Sequence, residues 1–396
     1  MLLVSTDRLT PGVAVAIPVP HPQRPDTCLL QANVRLTDKL IGRLGDLGIP
    51  HVWVKHDLLG DLASKINRTI PERRRHIFEA VANGFDALQD RVITTADHAH
   101  YCEVIGELIT DLLEDTSQVG VLAERLFDDG DELCAHSANV AYLAVTIGMH
   151  LEGYILQQRR GKQARPTREL CHLGAGALLH DIGKLSWDPE LRSQHATTPD
   201  RHDAYPRHTH DGFLMLRNRV NALAGTVALH HHQQWDGTGW PDMTALTGGR
   251  IVGGMAGQNI HVFSRIVAAA NAFDNLTSGA AGSPRPAVDA LHHMQSDDYA
   301  GVFDPVVLGA FLRFIPPFPV GVEVVLSDGG AAAVVAMHSD DPCRPTVRRL
   351  DGPETGSEID LRPHDDPHIR YAQGHRVDRW LYRPPAREEA MATTGP

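Results

Sequence analysis

The sequence predicts a mainly α-helical fold: a helical bundle, preceded by a small α/β module and closed by a C-terminal β-hairpin. Three observations carry this. Between about 71 and 128, ERRRHIFEAVANGFDALQD and EVIGELITDLLED place apolar residues three and four apart, the spacing of amphipathic helices. From 130 to 315, Gly, Ala and His recur inside apolar helical segments, among them the adjacent pairs His180–Asp181 and His231–His232. From 316 the period changes, and PVGVEVVLSDGGAAAVVAM reads as two strands joined by an Asp-Gly-Gly turn.

The order of elements divides the chain into four parts. Residues 1–57 hold the apolar, β-branched GVAVAIPV, then LTDKLIGRLGDLGI with helical spacing, then HVWV as a short strand. This module carries no cluster of chemically useful side chains, so its expected role is regulatory or structural, as a separate unit. Residues 58–129 form a helical connector. Residues 130–345 form the chemical core and end on the hairpin. Residues 346–396 are rich in Pro, Arg, Asp, Glu and His and poor in long apolar groups. That tail is expected to be disordered or laid over the core.

Composition sets limits. At 396 residues and 42% hydrophobic content the chain can build more than one core. A formal net charge of -12 and the absence of large basic clusters argue against a nucleic-acid polymer as partner. The longest basic stretch, 159–168, reads as an exposed loop between helices. Cys28, Cys102, Cys134, Cys171 and Cys343 form no CxxC pair, so neither a zinc ribbon nor a disulfide framework is suggested. No long apolar run indicates a membrane span, and the N-terminus does not read as a signal peptide. A cytoplasmic location is the expectation.

The chemistry concentrates in the third part. Glu132 and His136 stand four apart and so share one helix face. His180 and Asp181 follow in GAGALLHDIGKL, with Lys184 three residues past the carboxylate. His208 lies in RHTHDGFLML, His231 and His232 end ALAGTVALHH, and Asn271 sits in the apolar SRIVAAANAFDNL. With 24 histidines in the chain, many must be incidental. The joint arrangement carries the argument: each member has its own helix, next to small residues that permit close packing, and a bundle converges such residues on one interior site. Imidazole and carboxylate suit iron, manganese or zinc, and a carboxylate such as Asp181 can bridge two ions. Two ions a few ångströms apart can share a hydroxide and aim it at phosphorus. Lys184 either charges a phosphate oxygen or simply complements a helix C-terminus.

These residues resemble the HD-GYP family, a branch of the HD superfamily of metal-dependent phosphohydrolases. HDIGK at 180–184 looks like its central motif, and HHQQWDGTGWP at 231–241 like its second signature. HTHDG at 208–212 is similar to its His-Pro-x-x-Gly element. FSRIVAAANAFDNLTS resembles the helix that normally carries an Asp ligand, and SPRP at 283–286 the segment after it. The resemblance implies hydrolysis of cyclic di-GMP to pGpG or GMP, with two or three divalent ions, commonly iron or manganese. It implies Glu132, His136, His180, Asp181, His208, His231, His232 and Asn271 as metal positions. It gives Asp181 and Lys184 catalytic roles, with Lys184 on the scissile phosphate and Arg285 on the second phosphate or a guanine. It implies GGDEF-domain proteins as partners through the 237–241 loop, and a homodimer stays open.

Three departures stand out. Gln233 replaces the usual Glu, Trp240 replaces Tyr in the name-giving triplet, and Asn271 replaces the usual Asp ligand. The first two need not touch the chemistry. The third removes a negative charge from the metal site, and Asp274, one turn on, would compensate only if the helix shifts. Two ions are therefore expected to be held tightly and a third weakly. Besides cyclic di-GMP hydrolysis, two readings remain: a catalytically impaired domain that binds cyclic dinucleotides or proteins, and a phosphohydrolase with another nucleotide substrate.

Overall fold

In a computed structural model the described residues are all but 22–23, 65–68, 91, 115–131, 160–165, 189–206, 250–252, 281, 364 and 386–396. The basic stretch noted above therefore lies largely outside the described residues. Leu2–Ser5 (β1) pairs antiparallel with His51–Val54 (β4), and Val19–His21 (β2) with Arg24–Leu30 (β3). Asp38–Asp46 (α1) lies between β3 and β4 in sequence. Its first turn is capped by the Thr37 side chain, which accepts from the Leu40 amide.

The helices that build the interior are α2 (Thr69–Asp90), α3 (Thr95–Glu114), α4 (Glu132–His150), α5 (Glu152–Gln158) and α6 (Pro166–Leu178). After them come α7 (Arg207–Leu216), α8 (Ala222–His230), the one-turn α9 (Met243–Leu246), α10 (Val262–Ser278), α11 (Ala287–His293) and α12 (Pro305–Phe314). α4 is the centre. Every residue from Cys134 to Gly148 is buried, because α2, α6, α10 and α12 cover its faces. A helix apolar all round can only sit in such a place. Small residues set the approach distances: a Cβ at Gly148 would meet Leu173 of α6 at 2.6 Å.

The C-terminal part corrects the sequence expectation. It is a six-stranded antiparallel sheet, not a hairpin. Glu323–Leu326 (β5) and Ala331–Ala336 (β6) are the expected pair. Thr346–Arg349 (β7), Glu358–Asp360 (β8), Ile369–Ala372 (β9) and His375–Arg376 (β10) extend it in the order β10-β9-β5-β6-β7-β8. The stretch read as a tail thus supplies four strands. Its arginines find carboxylates on neighbouring parts of the chain. Arg348 reaches Asp61 at 2.6 and 2.8 Å, and Arg349 pairs with Asp328.

The N-terminal module is docked on this sheet rather than standing apart. Leu3 bridges Val322, its amide donates to the Gly321 carbonyl at 2.8 Å, and Arg8 pairs with Glu323 at 2.9 Å. Among the described residues, no helix is long and apolar enough to cross a membrane.

Candidate metal centre

α6 ends at Leu178, and the chain turns through His180 and Asp181 into a 3-10 helix at Ile182–Ser186. Asp181 occupies the N-cap position of that helix but its side chain makes no capping hydrogen bond, so the carboxylate faces the interior. Gly183 explains how a second element reaches it. A Cβ there would stand 2.0 Å from the His208 carbonyl oxygen and 2.6 Å from the Gly212 amide. Only bare backbone allows this turn to touch α7, and that contact carries His208 to Asp181.

The assembled group is buried: His180, Asp181, His208 and His231 are each at most 1% exposed. It divides around the two oxygens of Asp181. On one side, Oδ1 lies 3.1 Å from His208 Nε2 and 3.5 Å from His231 Nε2. On the other, Oδ2 lies 3.4 Å from His180 Nε2 and 3.5 Å from His136 Nε2. Lys184 Nζ stands 2.5 Å from the same Oδ2. The ligand atoms of Asp181, His208, His231 and His232 lie within 4.8 Å of one another, as do those of His136, His180 and Asp181.

The outer ring nitrogens decide which lone pairs point inward. His136 Nδ1 faces Asp274 Oδ2 at 2.7 Å, His180 Nδ1 faces the Ala177 carbonyl at 2.7 Å, and His231 Nδ1 faces the Ala228 carbonyl at 3.0 Å. These partners only accept, so each Nδ1 donates to its partner and each ring turns its Nε2 inward. His136 Nε2 and His180 Nε2 lie 3.2 Å apart. A hydrogen bond between them would require one ring to be an imidazolium. A shared cation removes that requirement: neighbouring nitrogens on one ion, each about 2.0–2.1 Å from it, stand about 3.0–3.4 Å apart. On the other side, His208 Nε2 and His231 Nε2 are 3.3 Å apart. Asp181 Oδ1 is buried without a well-formed hydrogen bond. The donor set around Asp181 fits one or two divalent cations.

Electrostatics agree. Burial by itself would raise the Asp181 carboxyl, but the Lys184 ammonium and the His180 and His208 rings outweigh it and hold it well below the usual carboxylate range. Burial pushes His231 down to about 3 and His232 well below the ordinary imidazole value. Neutral imidazole and ionised carboxylate are the forms that bind metal.

The remaining expected residues are placed differently. Glu132, one turn before His136, has an exposed side chain and belongs to neither ligand group. The buried Asn271 amide accepts a hydrogen bond from Asn275 at 3.1 Å and makes none with the His–Asp cluster. Asp274 reaches the site without any helix shift, as the partner of His136 rather than as a replacement for Asn271. Arg285 pairs with Asp289 at 3.0 Å along its own helix start. Gln233 is a loop staple: its amide donates to the Pro241 carbonyl at 2.8 Å and accepts from the Met255 amide at 2.6 Å. Trp240, whose aromatic surface replaces the usual Tyr, stacks on His232 with ring centroids 3.8 Å apart. Reading the sequence by single ligands misses the pairing of Asp274 with His136, the role of Gly183 and this stacking. The available signal was Asp274, the carboxylate on the Asn271 helix, and the Gly that closes HDIG.

Comparison with known proteins follows the same lines. Residues 158–307 match the family model described as HD domain. The chain is 29% identical over 261 residues to a cyclic di-GMP phosphodiesterase of Pseudomonas aeruginosa, covering 64% of this chain and 56% of that protein. It is 32% identical over 168 residues to the cyclic di-GMP phosphodiesterase response regulator RpfG of Xanthomonas campestris, covering 41% and 40%. It is 32% identical over 143 residues to a cyclic di-GMP phosphodiesterase of Thermotoga maritima, covering 35% of each. The chain thus spans between 35% and 56% of these relatives' lengths. The solved structure of an HDG"Y"P protein from Bdellovibrio bacteriovorus aligns over 79% of this chain and 98% of that chain, with a TM-score of 0.45 and 15% identity. Residues 158–307 are thus similar to an HD domain, and the chain shares part of its length with HD-type phosphodiesterases.

Proposed function

We propose that this HD-type chain is a metal-dependent phosphodiesterase that opens cyclic di-GMP, to pGpG or onward to GMP. The observation that carries the reading is the arrangement of four histidine Nε2 atoms, two on each side, around the two oxygens of buried Asp181. The cyclic di-GMP assignment rests on the relatives, each described as acting on that molecule.

Asp181, His136 and His180 would hold one divalent ion, and Asp181, His208 and His231 the other, with His232 beside the second. Iron or manganese suits this nitrogen and oxygen donor set. When bound, the ions supply Lewis-acid stabilisation of phosphate charge and lower the pKa of a water. The chain's own residues do the rest. Asp274 fixes the His136 ring and its tautomer, as the Ala177 and Ala228 carbonyls do for His180 and His231. Lys184, paired with Asp181 at 2.5 Å, stands beside the reacting position. Once the ions neutralise that carboxylate, its ammonium is available to a non-bridging phosphate oxygen. Trp240 covers His232 and holds the 237–241 loop over the cluster.

Two ions are favoured over three. Glu132 is exposed and the Asn271 amide is engaged with Asn275, so neither expected extra ligand supports a third position. Arg285 would have to leave Asp289 to meet a substrate phosphate or a guanine. The test is turnover of cyclic di-GMP by protein loaded anaerobically with iron or manganese, beside other cyclic dinucleotides and mononucleotides. Asp181→Asn should abolish turnover. Full metal occupancy with no product would refute catalysis, and preference for a mononucleotide would refute the substrate.

A further inference from the structure

We infer that His98, Cys102 and His172 form a second, separate metal site that takes zinc and ties the connector helix α3 to α6. His98 and Cys102 stand four apart on α3 and so share one face. His172 comes from α6, packed against it. His98 Nε2 is 3.8 Å from Cys102 Sγ, and Cys102 Sγ is 3.9 Å from His172 Nδ1. All three ligand atoms lie within 4.8 Å of one another.

The geometry is close to that of an occupied site. A tetrahedral zinc about 2.3 Å from sulfur and about 2.05 Å from nitrogen separates those two ligands by about 3.6 Å. The observed distances exceed this by a few tenths of an ångström, within the reach of small χ changes. The two imidazoles are already parallel, 6° apart in plane with centroids at 5.8 Å. The nitrogen–sulfur contacts are long for hydrogen bonds, and His98 Nδ1 is buried without a partner in a residue 9% exposed. The Asn221 amide nitrogen lies 3.3 and 3.4 Å from the two His172 nitrogens, so it fixes neither tautomer.

Donor chemistry separates this site from the Asp181 cluster. One thiolate and two imidazoles favour a borderline-soft cation, zinc above manganese or iron. Cys102 and His172 are half-buried, which leaves a path for the ion and a fourth position for solvent. His172 lies less than two turns before the end of α6, the helix that delivers His180 and Asp181. The tie would therefore brace the helix on which the candidate metal centre is built.

Cobalt is the probe, because its thiolate complexes absorb in the near ultraviolet and the Asp181 cluster contains no sulfur. The full-length chain, stripped of metal, is titrated with Co2+ and then with Zn2+. A thiolate-to-cobalt band should appear in the wild type, persist in Asp181→Ala, bleach on adding zinc, and be lost in Cys102→Ala. No band at saturating Co2+ in the wild type would overturn the site without recourse to any variant. A band surviving Cys102→Ala would overturn it equally. His172→Ala, made in the Asp181→Ala background and checked for helicity by circular dichroism, should weaken the band and abolish the zinc-dependent rise in melting temperature that Asp181→Ala alone retains. Turnover of cyclic di-GMP is not a readout here, so the two assignments stand or fall separately.

Discussion

Removing the carboxylate behind His136 should weaken one metal position and spare the other. Asp274 Oδ2 lies 2.7 Å from His136 Nδ1, with side-chain exposures of 5% and 11% for the two residues. The bond is short, charge-assisted and shielded from water, so it both orients the ring and raises the basicity of Nε2. Losing an outer partner of this kind costs about 10–100-fold in metal affinity. That corresponds to about 1.4–2.7 kcal/mol. Asp274→Ala should show the full effect. Asp274→Asn keeps an acceptor for Nδ1–H but loses the charge, and should fall between Ala and the wild type. The assay is competition of Mn2+ against a chromophoric chelator, resolved into two equivalents. The ion on the Asp181 Oδ2 side should weaken, while the ion held by His208 and His231 keeps its affinity. Equal weakening of both, or no weakening in Asp274→Ala, would refute the assignment of Asp274 as the orienting partner of a ligand.

Three further outcomes are expected. Elemental analysis should find the same metal content in Glu132→Ala as in the wild type, because Glu132 is exposed, whereas His208→Ala should lose an ion; a loss in Glu132→Ala would restore a third position. Gln233→Glu should lower stability by about 1–3 kcal/mol at neutral pH, since a carboxylate cannot donate to the Pro241 carbonyl, and acid should relieve the loss by restoring a donor; an unchanged melting temperature at pH 7 contradicts the staple. Burial pushes the Cys343 thiol up to about 12 from 9.0. The unfolded chain therefore releases this proton first, and stability is full below about pH 9 and falls as pH rises toward 12, by about 2 kcal/mol at pH 10.5. Cys343→Ala should flatten that alkaline decline in urea unfolding, and an equally steep decline would show that Cys343 is not its source.

The periodicity of the helices, the strand pair near 323–336 and the chemical identity of the cluster were legible in sequence, because each depends on residues close together along the chain. His180 and Asp181 are adjacent, and His208, His231 and His232 lie within motifs that keep their spacing. What spacing cannot state is which side chains meet across α4, α7 and α10. Glu132 shares a helix face with His136, yet that face turns to solvent one turn away from the site. Asp274 and Asn271 differ by less than a turn, and only the packing of α10 against α4 decides which of them touches His136. The third ligand of the His98–Cys102 pair is equally invisible along the chain, since it arrives 70 residues later.

The C-terminal sheet fails to show in the sequence for a different reason. In β7 only Val347 is buried, and β8 buries no residue, so these strands carry little apolar signal of their own. They form because β6 offers an unpaired edge and because Arg348 and Arg349 find carboxylates at Asp61, Glu358 and Asp328. Sequence alone determined which side chains are available for metal chemistry and which segments coil into helices, since propensity and periodicity are local. Tertiary structure decided which of those side chains converge, because convergence depends on close backbone approach at Gly183 and on strand pairing between residues far apart in the chain.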